Sequence, residues 1–167
     1  MSKRFRQWVE EYQDQAWTLA RYMLRDAAEA EDVCQESFVK LWHHQDRIDV
    51  EKIKPWLMKV IRNGCLDRIR RRKPESELQE QLQADTAPGP MQGAVQRDAG
   101  RQLKAAIEAL NEPYRTLVVL RDIQQHSYAE VAGTLDLSMS QVKVYLHRAR
   151  KQLREQLAPL HAGTETG

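Results

Sequence analysis

Apolar side chains recur at steps of three and four residues along most of the chain, without the alternation of β-branched residues typical of strands. In the first 73 residues this pattern predicts three helices: Phe5 to Leu24, a second from a cap at Asp26 to about His43, and a third from Pro55 to Arg72. The predicted buried stripe of the second helix includes Phe38 and Trp42. Pro55 suits a first helical turn, where an N–H has no helical partner. The pattern predicts an all-α fold.

A change of composition divides the chain into two parts. The stretch 75–100 is rich in Gln, Glu, Ala, Pro and Gly, and its APGPMQG run is incompatible with regular structure. Helical periodicity resumes at Arg101 to Leu110 and again after Asn111 and Pro113, where three apolar residues are predicted to be buried: Leu117, Val118 and Leu120. We predict two small helical domains, 1–73 and 101–160, joined by a flexible linker at 74–100 and followed by a tail at 161–167.

The stretch from Ser127 to Arg154 has the pattern of two short helices joined by a tight turn. Each begins with a capping box, because Ser127 precedes Glu130, and Ser138 precedes Gln141, by three residues. On the second helix one face is apolar: Val142, Leu146, Ala149, Leu153 and Leu157. Another face is basic: Lys143, His147, Arg150, Lys151 and Arg154, flanked by Tyr145 and Arg148. This pattern favours a helix–turn–helix that binds the DNA major groove. The alternative is a solvated charged helix that closes an ordinary bundle.

The distribution of charge supports a nucleic-acid partner more strongly than its total does. The chain has 167 residues, 30% of them charged, and a net charge of only +2. Basic residues concentrate at 68–73 and 143–154, whereas acidic residues concentrate at 29–36 and 75–85. This segregation indicates separate surfaces for an anionic and a cationic partner.

Several classes of function lack support in the sequence. Cys34 and Cys65 are isolated and are predicted to be buried core thiols rather than disulfide or zinc ligands. We expect no metal site, no cofactor, no catalytic residue and no enzymatic activity, since nucleophile–base pairs and phosphate-binding glycine loops are lacking. An apolar leader and a run of ~20 apolar residues are also lacking, so we expect a cytoplasmic protein without membrane insertion. His43, His44 and His126 are expected at the surface or at helix caps, without a functional role.

Three motifs together resemble a known family. They are EAEDVCQESFVKLW at 29–42, PWLMKVIRNGCLDRIRRRK at 55–73, and ALNEPYRTLVVLRD at 109–122 before the helix–turn–helix. In this order they resemble the group IV, or extracytoplasmic-function, bacterial sigma factors over nearly the whole chain. The resemblance implies that the first domain is sigma region 2, which binds core RNA polymerase and the −10 element, and that the second is region 4, which binds the −35 element. It also implies three partners: core RNA polymerase, through its β′ clamp helices and β flap, promoter DNA, and an anti-sigma factor.

The resemblance also implies which residues carry each contact. The positions that match the polymerase-binding helix are Asp32, Gln35 and Glu36. Those that match the −10 helix are Lys59, Arg62, Asn63 and Arg70, with Asn63 near the base pocket and the cations on phosphates. Those that match the −35 recognition helix are Ser140, Gln141, Lys143, Val144, His147 and Arg148. The chain departs from the family's pattern at 47–49, Asp136 and Val144.

Two other functions are compatible with parts of the sequence. One is a stand-alone helix–turn–helix regulator that binds duplex operators as a dimer, which leaves the acidic second helix and the Asn63 helix without an explanation. The other is a DNA-acting enzyme, such as a serine recombinase with a helix–turn–helix tail, and the lack of a catalytic sheet pattern argues against it.

Overall fold

The computed structural model describes residues 2–72 and 95–165, with side chains from 98 to 158 in the second stretch. Its α-helices are α1 Lys3–Met23, α2 Ala27–His44, α3 Ile53–Arg72, α4 Val95–Glu108, α5 Tyr114–Val118, α6 Tyr128–Leu135 and α7 Met139–Glu165. Short 3-10 turns at Gln45–Arg47 and Val50–Lys52 join α2 to α3, and α5 continues into a π-helical turn at Val119–Ile123. The all-α prediction is confirmed.

Helices α1, α2 and α3 form an N-terminal bundle. The Asp26 carboxylate caps α2 by accepting from the backbone N–H groups of Ala28 and Glu29, as the sequence predicted. The interhelical space is filled by fully buried side chains: Leu19, Leu41, Leu57, Met58 and Ile61. Gly64 allows α3 to approach α2 closely, because a Cβ there would come within 3.1 Å of Val33 Cγ1. This close packing fixes the position of the exposed face of α2 relative to the exposed face of α3.

The C-terminal half begins earlier and ends later than the periodicity indicated. Helix α4 starts at Val95, inside the predicted linker, and α7 continues to Glu165, inside the predicted tail. The remainder of the predicted linker lies outside the described residues. Leu117, Val118 and Leu120 are buried as predicted, and α7 buries Val142, Leu146, Ala149 and Leu153. Leu157, which was predicted to share that buried face, is half-buried.

Two predictions of burial were wrong. Trp42 was assigned to the buried stripe of α2, but 39% of its surface is exposed, and Phe38 is only half-buried. His126 was expected at the surface, but it is fully buried, and its Nε2 lies 2.8 Å from Gln15 Oε1 on α1. Both errors arise because the exposure of a side chain depends on contacts with other elements, which the periodicity of one segment does not contain.

The two halves pack against each other and share one continuous core cluster. Helix α6 lies against α3, and α4, α5 and the π-helical turn contact α1. Thr134 Oγ1 on α6 donates to the carbonyl oxygen of Pro55 at 3.4 Å, and Gln124 Nε2 donates to that of Gln15 at 2.9 Å. This arrangement places the helix–turn–helix beside the first turns of α3.

Candidate functional site

Both helices of the helix–turn–helix begin with the capping residues that the sequence indicated. The Ser127 hydroxyl accepts from the Glu130 N–H at 3.0 Å, while the Glu130 carboxylate accepts from the Ser127 N–H at 2.8 Å. The same reciprocal pair joins Ser138 and Gln141 at 3.1 and 2.9 Å. Between the two caps Asp136 adopts a left-handed backbone, with φ 54° and ψ 44°, which Asp tolerates better than most residues. Asp136 and the Ser138 cap thus form the turn between α6 and α7, and the Ser127 cap begins α6.

Helix α7 presents the predicted recognition positions to solvent. All six are exposed: Ser140, Gln141, Lys143, Val144, His147 and Arg148. The Lys143 ammonium lies 5.8 Å from the centroid of the Tyr128 ring, and the Arg148 guanidinium lies 5.6 Å from that of Tyr145. Since the opposite face of α7 is buried, these cations project away from the core and can meet a polyanion.

Arg150 differs from its basic neighbours on α7. Its guanidinium forms a two-point pair with Asp122 of the π-helical turn, at 3.1 Å from Nε and 2.6 Å from Nη2. This pair raises the pKa of Arg150 above its already high ordinary value. Arg150 therefore fastens α7 to the preceding turn, a role that its place in the basic stripe did not reveal.

The four predicted −10 residues of α3 lie in two different environments. Lys59 and Arg62 are half-buried and paired with the C-terminal half: Lys59 Nζ lies 2.5 Å from Asp136 Oδ2, and Arg62 Nη2 lies 3.4 Å from Glu112 Oε2. Arg62 Nε also donates to Thr116 Oγ1 at 3.1 Å. Asn63 and Arg70 are exposed. Asn63 and Arg70 are therefore accessible to a ligand, whereas Lys59 and Arg62 are already paired with carboxylates.

Asn63 and Arg70 line the same cavity, of about 400 Å³, on the outer side of α3. Lys40 of α2 and Asp67 contribute polar groups, and Val60, Gly64 and Leu66 form an apolar floor. Such a cavity combines an amide with donor and acceptor groups, two cations and an apolar surface. These are the groups needed to hold an unstacked base beside its phosphate.

The acidic residues of α2 face solvent but have an intramolecular partner. Arg68 of α3 lies 2.8 Å from Glu36 Oε1 and 3.8 Å from Asp32 Oδ2. Both carboxylates remain more than 60% exposed. Gln35 is also exposed, and its amide donates to Glu31 at 3.4 Å. The three predicted polymerase-binding residues therefore form one exposed surface on α2.

An apolar groove of about 760 Å³ runs beside this acidic surface, between α1 and α2. Its apolar walls are Phe5, Val9, Trp17, Phe38, Val39 and Trp42, and its rim includes Gln13, Glu31 and Gln35. Val39 is 54% exposed and Trp42 is 39% exposed, and both belong to this one continuous apolar patch. Sequence reasoning missed this groove because it assigned Phe38 and Trp42 to the core.

The two cysteines lie in the core of the described residues. Burial raises the pKa of Cys34 to about 11 and that of Cys65 to about 12, so both thiols stay protonated at neutral pH, as expected of core residues. Among the side chains described, at 2–72 and 98–158, no group of three or more potential metal ligands comes together. No described helix is both long enough and apolar enough to cross a bilayer.

Comparison with known proteins identifies both halves as parts of one class. The Sigma-70 region 2 family matches residues 8–75, and the Sigma-70 region 4 family matches residues 100–153. The two matches follow the order of the N-terminal bundle and the helix–turn–helix half. The fold and its exposed surfaces thus define a sigma factor of the sigma-70 class.

Curated relatives narrow the class to a family. The ECF RNA polymerase sigma factor SigW of Bacillus subtilis is 31% identical over 91% of this chain and 88% of its own length. The RNA polymerase sigma-E factor of Streptomyces coelicolor is 32% identical over 92% of this chain and 85% of its own. The chain therefore belongs to the extracytoplasmic-function family of RNA polymerase sigma factors. Relatives that span both halves leave no support for the stand-alone regulator.

Solved structures share the arrangement of both halves. CnrH in complex with the cytosolic domain of CnrY is 25% identical, with a TM-score of 0.70 over 93% of this chain and 88% of that one. The sigma factor RpoE from Bartonella quintana, in complex with the anti-sigma factor NepR, is 22% identical, with a TM-score of 0.71 over 94% of this chain and 98% of that one. The second likeness shows the fold alone.

Proposed function

We propose that this sigma factor binds core RNA polymerase through α2, recognises the −35 element through α7 and recognises the −10 element through α3. One observation carries the proposal. The α7 face opposite the core exposes all six predicted recognition positions, including two cations held beside tyrosine rings. A protein that acts in this way initiates transcription without catalysing a reaction of its own, and we place it in the cytoplasm with its polymerase.

The −35 assignment rests on the chemistry of the α7 face. Lys143 and Arg148 suit guanine edges or phosphates, and Gln141 suits adenine. Val144 offers an apolar contact, which suits a thymine methyl group. His147 and Ser140 complete this face with groups that donate to phosphates or base edges.

The −10 assignment rests on α3 and its cavity. We assign Asn63 to an unstacked base and Arg70 to the adjacent backbone, because both line the same cavity. Lys59 and Arg62 are assigned to phosphates, which supply affinity more than sequence preference. In the conformation described here both are paired with carboxylates of the C-terminal half.

The polymerase assignment rests on the acidic surface of α2 and the adjacent groove. Asp32, Gln35 and Glu36 are exposed in a row, and Val39 and Trp42 offer apolar contact beside them. A basic, partly apolar helix fits such a surface, and we assign the β′ clamp helices to it, with the β flap bound by the C-terminal half. An anti-sigma factor is a further proposed partner, since the solved relatives are complexes of that kind.

The domain division accompanies this proposal. We retain region 2 at 1–73, region 4 at 101–160, an intervening linker at 74–100 and a tail at 161–167, with the end of the linker and most of the tail helical, since α4 begins at Val95 and α7 ends at Glu165. The family matches at 8–75 and 100–153 support the two domains. The linker must allow each domain to reach its own promoter element.

Transcription by core polymerase on a library of genomic fragments tests the proposed function. We expect 5′ ends to appear only when the chain is added, and their upstream sequences to share two separated motifs. The double variant Lys143→Ala, Arg148→Ala is the control and should lose most of these transcripts. DNA binding without any new transcript would support a stand-alone regulator and would contradict the proposal.

A further inference from the structure

The cavity beside Asn63 is formed by α3 together with one residue of α2. Gly64 forms part of its floor and permits the close approach of α2, since a Cβ there would come within 3.1 Å of Val33 Cγ1. Lys40 lines the cavity from α2, and the other polar groups belong to α3. Its volume of about 400 Å³ lies within the range of ordinary ligand pockets, ~300–1,000 Å³. The cavity is therefore large enough for a nucleobase.

Three polar side chains of α3 follow one another along the wall of this cavity. Asn63, Asp67 and Arg70 are separated by four and three residues, so they lie on one face of the helix. All three are exposed. A ligand in the cavity therefore meets an amide, a carboxylate and a guanidinium in that order along α3, and the ammonium group of Lys40 from α2.

Asp67 is the only acidic residue of α3. Its Oδ2 lies 2.9 Å from Arg71 Nη2, one turn further along the helix, and its side chain remains 52% exposed. An exposed pair of this kind contributes little to stability. A carboxylate also repels the phosphate that Arg70 is assigned to bind. Because each carboxylate oxygen has two lone pairs, Asp67 can still accept hydrogen bonds from a ligand while it is paired with Arg71.

The donors and acceptors of the cavity fit guanine better than the other three bases. The Watson–Crick edge of guanine has two adjacent donors, N1–H and the N2 amine, beside the acceptor O6. One carboxylate accepts from both donors at once, and Asn63 and Lys40 can donate to O6. Adenine and cytosine offer a carboxylate only one donor group. The single donor of thymine lies between two carbonyl oxygens, which a carboxylate repels.

We propose that Asp67 is a specificity-determining residue that selects an unpaired guanine in the cavity of α3. Its carboxylate accepts from N1–H and from the N2 amine, while the Asn63 amide donates to O6. Val60 and Leu66 supply apolar surface for the purine ring, and Arg70 pairs with the adjacent phosphate. The inference rests on the proposed role of α3 in binding the −10 strand, and it adds which base is recognised and which residue recognises it.

Replacement of guanine by hypoxanthine tests the inference through one chemical group. Hypoxanthine lacks only the 2-amino group, so it offers the carboxylate one donor instead of two. The probes are fluorescent oligothymidylate strands with one central guanine or one central hypoxanthine, and anisotropy with the full chain measures their affinity. We expect the wild type to bind the guanine strand about tenfold more tightly, because the second hydrogen bond is lost with hypoxanthine. Equal affinity for the two strands would overturn the inference.

Asp67→Asn should abolish this preference, because an amide has one acceptor oxygen and its N–H groups oppose those of guanine. Asp14→Asn is the matched control, since it makes the same change of charge at an exposed aspartate of α1, and it should keep the preference. Arg71→Ala removes the intramolecular partner of Asp67 but leaves the carboxylate, so it should also keep the preference. A preference that persists in Asp67→Asn would exclude Asp67 as its source.

Guanosine monophosphate distinguishes a site for a DNA strand from a site for a free nucleotide. A strand also contacts cations outside the cavity, and phosphate contacts supply much of its affinity. We therefore expect a large molar excess of guanosine monophosphate to displace little of the guanine strand. Complete displacement would assign the cavity to a free guanine nucleotide and would contradict the proposal.

Arg70→Ala separates failure of this inference from failure of the proposed function. Loss of this cation should weaken both strands by the same factor if α3 is a DNA face. If Arg70→Ala weakens both strands but the wild type shows no preference for guanine, α3 binds DNA and the selection of guanine is wrong. If neither Arg70→Ala nor Asp67→Asn changes any affinity, the assignment of α3 to DNA is itself wrong.

Discussion

At the scale of single residues, several side chains have roles that their residue type alone does not reveal. Gln141 accepts from the Ser138 N–H through its side-chain oxygen, so one lone pair of that oxygen and both amide N–H groups remain for a base edge. Arg150 lies in the basic stripe of α7 but pairs with Asp122. Lys143 and Arg148 lie beside tyrosine rings and remain exposed. A charged residue on a recognition helix can therefore contact DNA only if no carboxylate of the same protein is already paired with it.

Substitutions on α7 should distinguish base contacts from phosphate contacts. Lys143→Ala and Arg148→Ala should each weaken −35 binding by about 1–3 kcal/mol and relax sequence preference, if they contact bases. Arg154→Ala, exposed further along α7, should weaken binding evenly and reduce the salt slope by about one. Fluorescence anisotropy on the selected and scrambled −35 duplexes measures both effects. Equal losses on the two duplexes for all three variants would leave only a non-specific phosphate role.

Asn63 should matter for opening the −10 element and for little else. Because its amide lines an exposed cavity with Arg70, Asn63→Ala should leave core binding and −35 binding intact. It should reduce open-complex formation, measured by permanganate reactivity of −10 thymines, and a pre-melted −10 bubble should partly restore it. Asn111→Ala, at another exposed asparagine, is the matched control. If Asn63→Ala forms open complexes at the wild-type rate, Asn63 has no role in opening the −10 element.

At the scale of elements, α2 presents two exposed surfaces and one buried one. Its buried side holds Ala30, Val33 and Leu41. Asp32 and Glu36 form an acidic edge tied to α3 through Arg68, and Val39 with Trp42 opens onto the groove toward α1. An element with this division can bind a helix that is both basic and apolar while its own position stays fixed.

Charge reversal on α2 should weaken polymerase binding without unfolding the bundle. Asp32→Lys with Glu36→Lys places like charges against a basic partner and should cost at least about 2 kcal/mol, roughly 30-fold in affinity. Far-UV circular dichroism should stay unchanged. Arg68→Ala is the control, since it removes the intramolecular partner but keeps both carboxylates, and it should bind core at least as well as the wild type. A pull-down in which the charge reversal has no effect would exclude this surface.

At the scale of the whole molecule, a buried histidine lies where the two halves meet. His126 is fully buried against Gln15 of α1, and its Nδ1 has no hydrogen-bond partner among the described atoms. Burial, and secondly Lys54 of α3, lower its pKa from 6.5 to about 4, against an opposing influence of Glu130 on α6. His126 is therefore neutral in the folded protein at physiological pH.

The depressed pKa of His126 predicts how stability depends on pH. Below pH 6.5 the unfolded chain binds a proton that the folded chain does not bind until about pH 4. The free energy of unfolding should therefore fall as the pH drops through this window, by up to about 1.4 kcal/mol per pH unit. His126→Gln should flatten the slope between pH 6.5 and 5 in urea denaturation. His147→Gln, at an exposed histidine, should retain it; an unchanged slope in His126→Gln would refute the assignment.

Much of the fold was predictable because its signals are local. Capping boxes at Ser127 and Ser138, the Asp26 cap and apolar steps of three and four residues depend on neighbours within one helical turn. The motifs at 29–42, 55–73 and 109–122 likewise indicated the family from short stretches. The exposure of the α7 face followed from the same periodicity. Boundaries were less accurate, as the early start of α4 at Val95 illustrates.

The sequence by itself determined the helices, their caps, the family and the candidate surfaces, since each depends on residues close along the chain. Only the tertiary structure decided which of these residues are paired, buried or exposed. Lys59 and Arg62 are paired with carboxylates at least 50 residues away along the chain. His126 is buried against α1, at the other end of the chain, and Trp42 lines a groove instead of the core. Ion pairs and burial between distant segments depend on how helices pack in three dimensions, and periodicity along one helix carries no information about its neighbours.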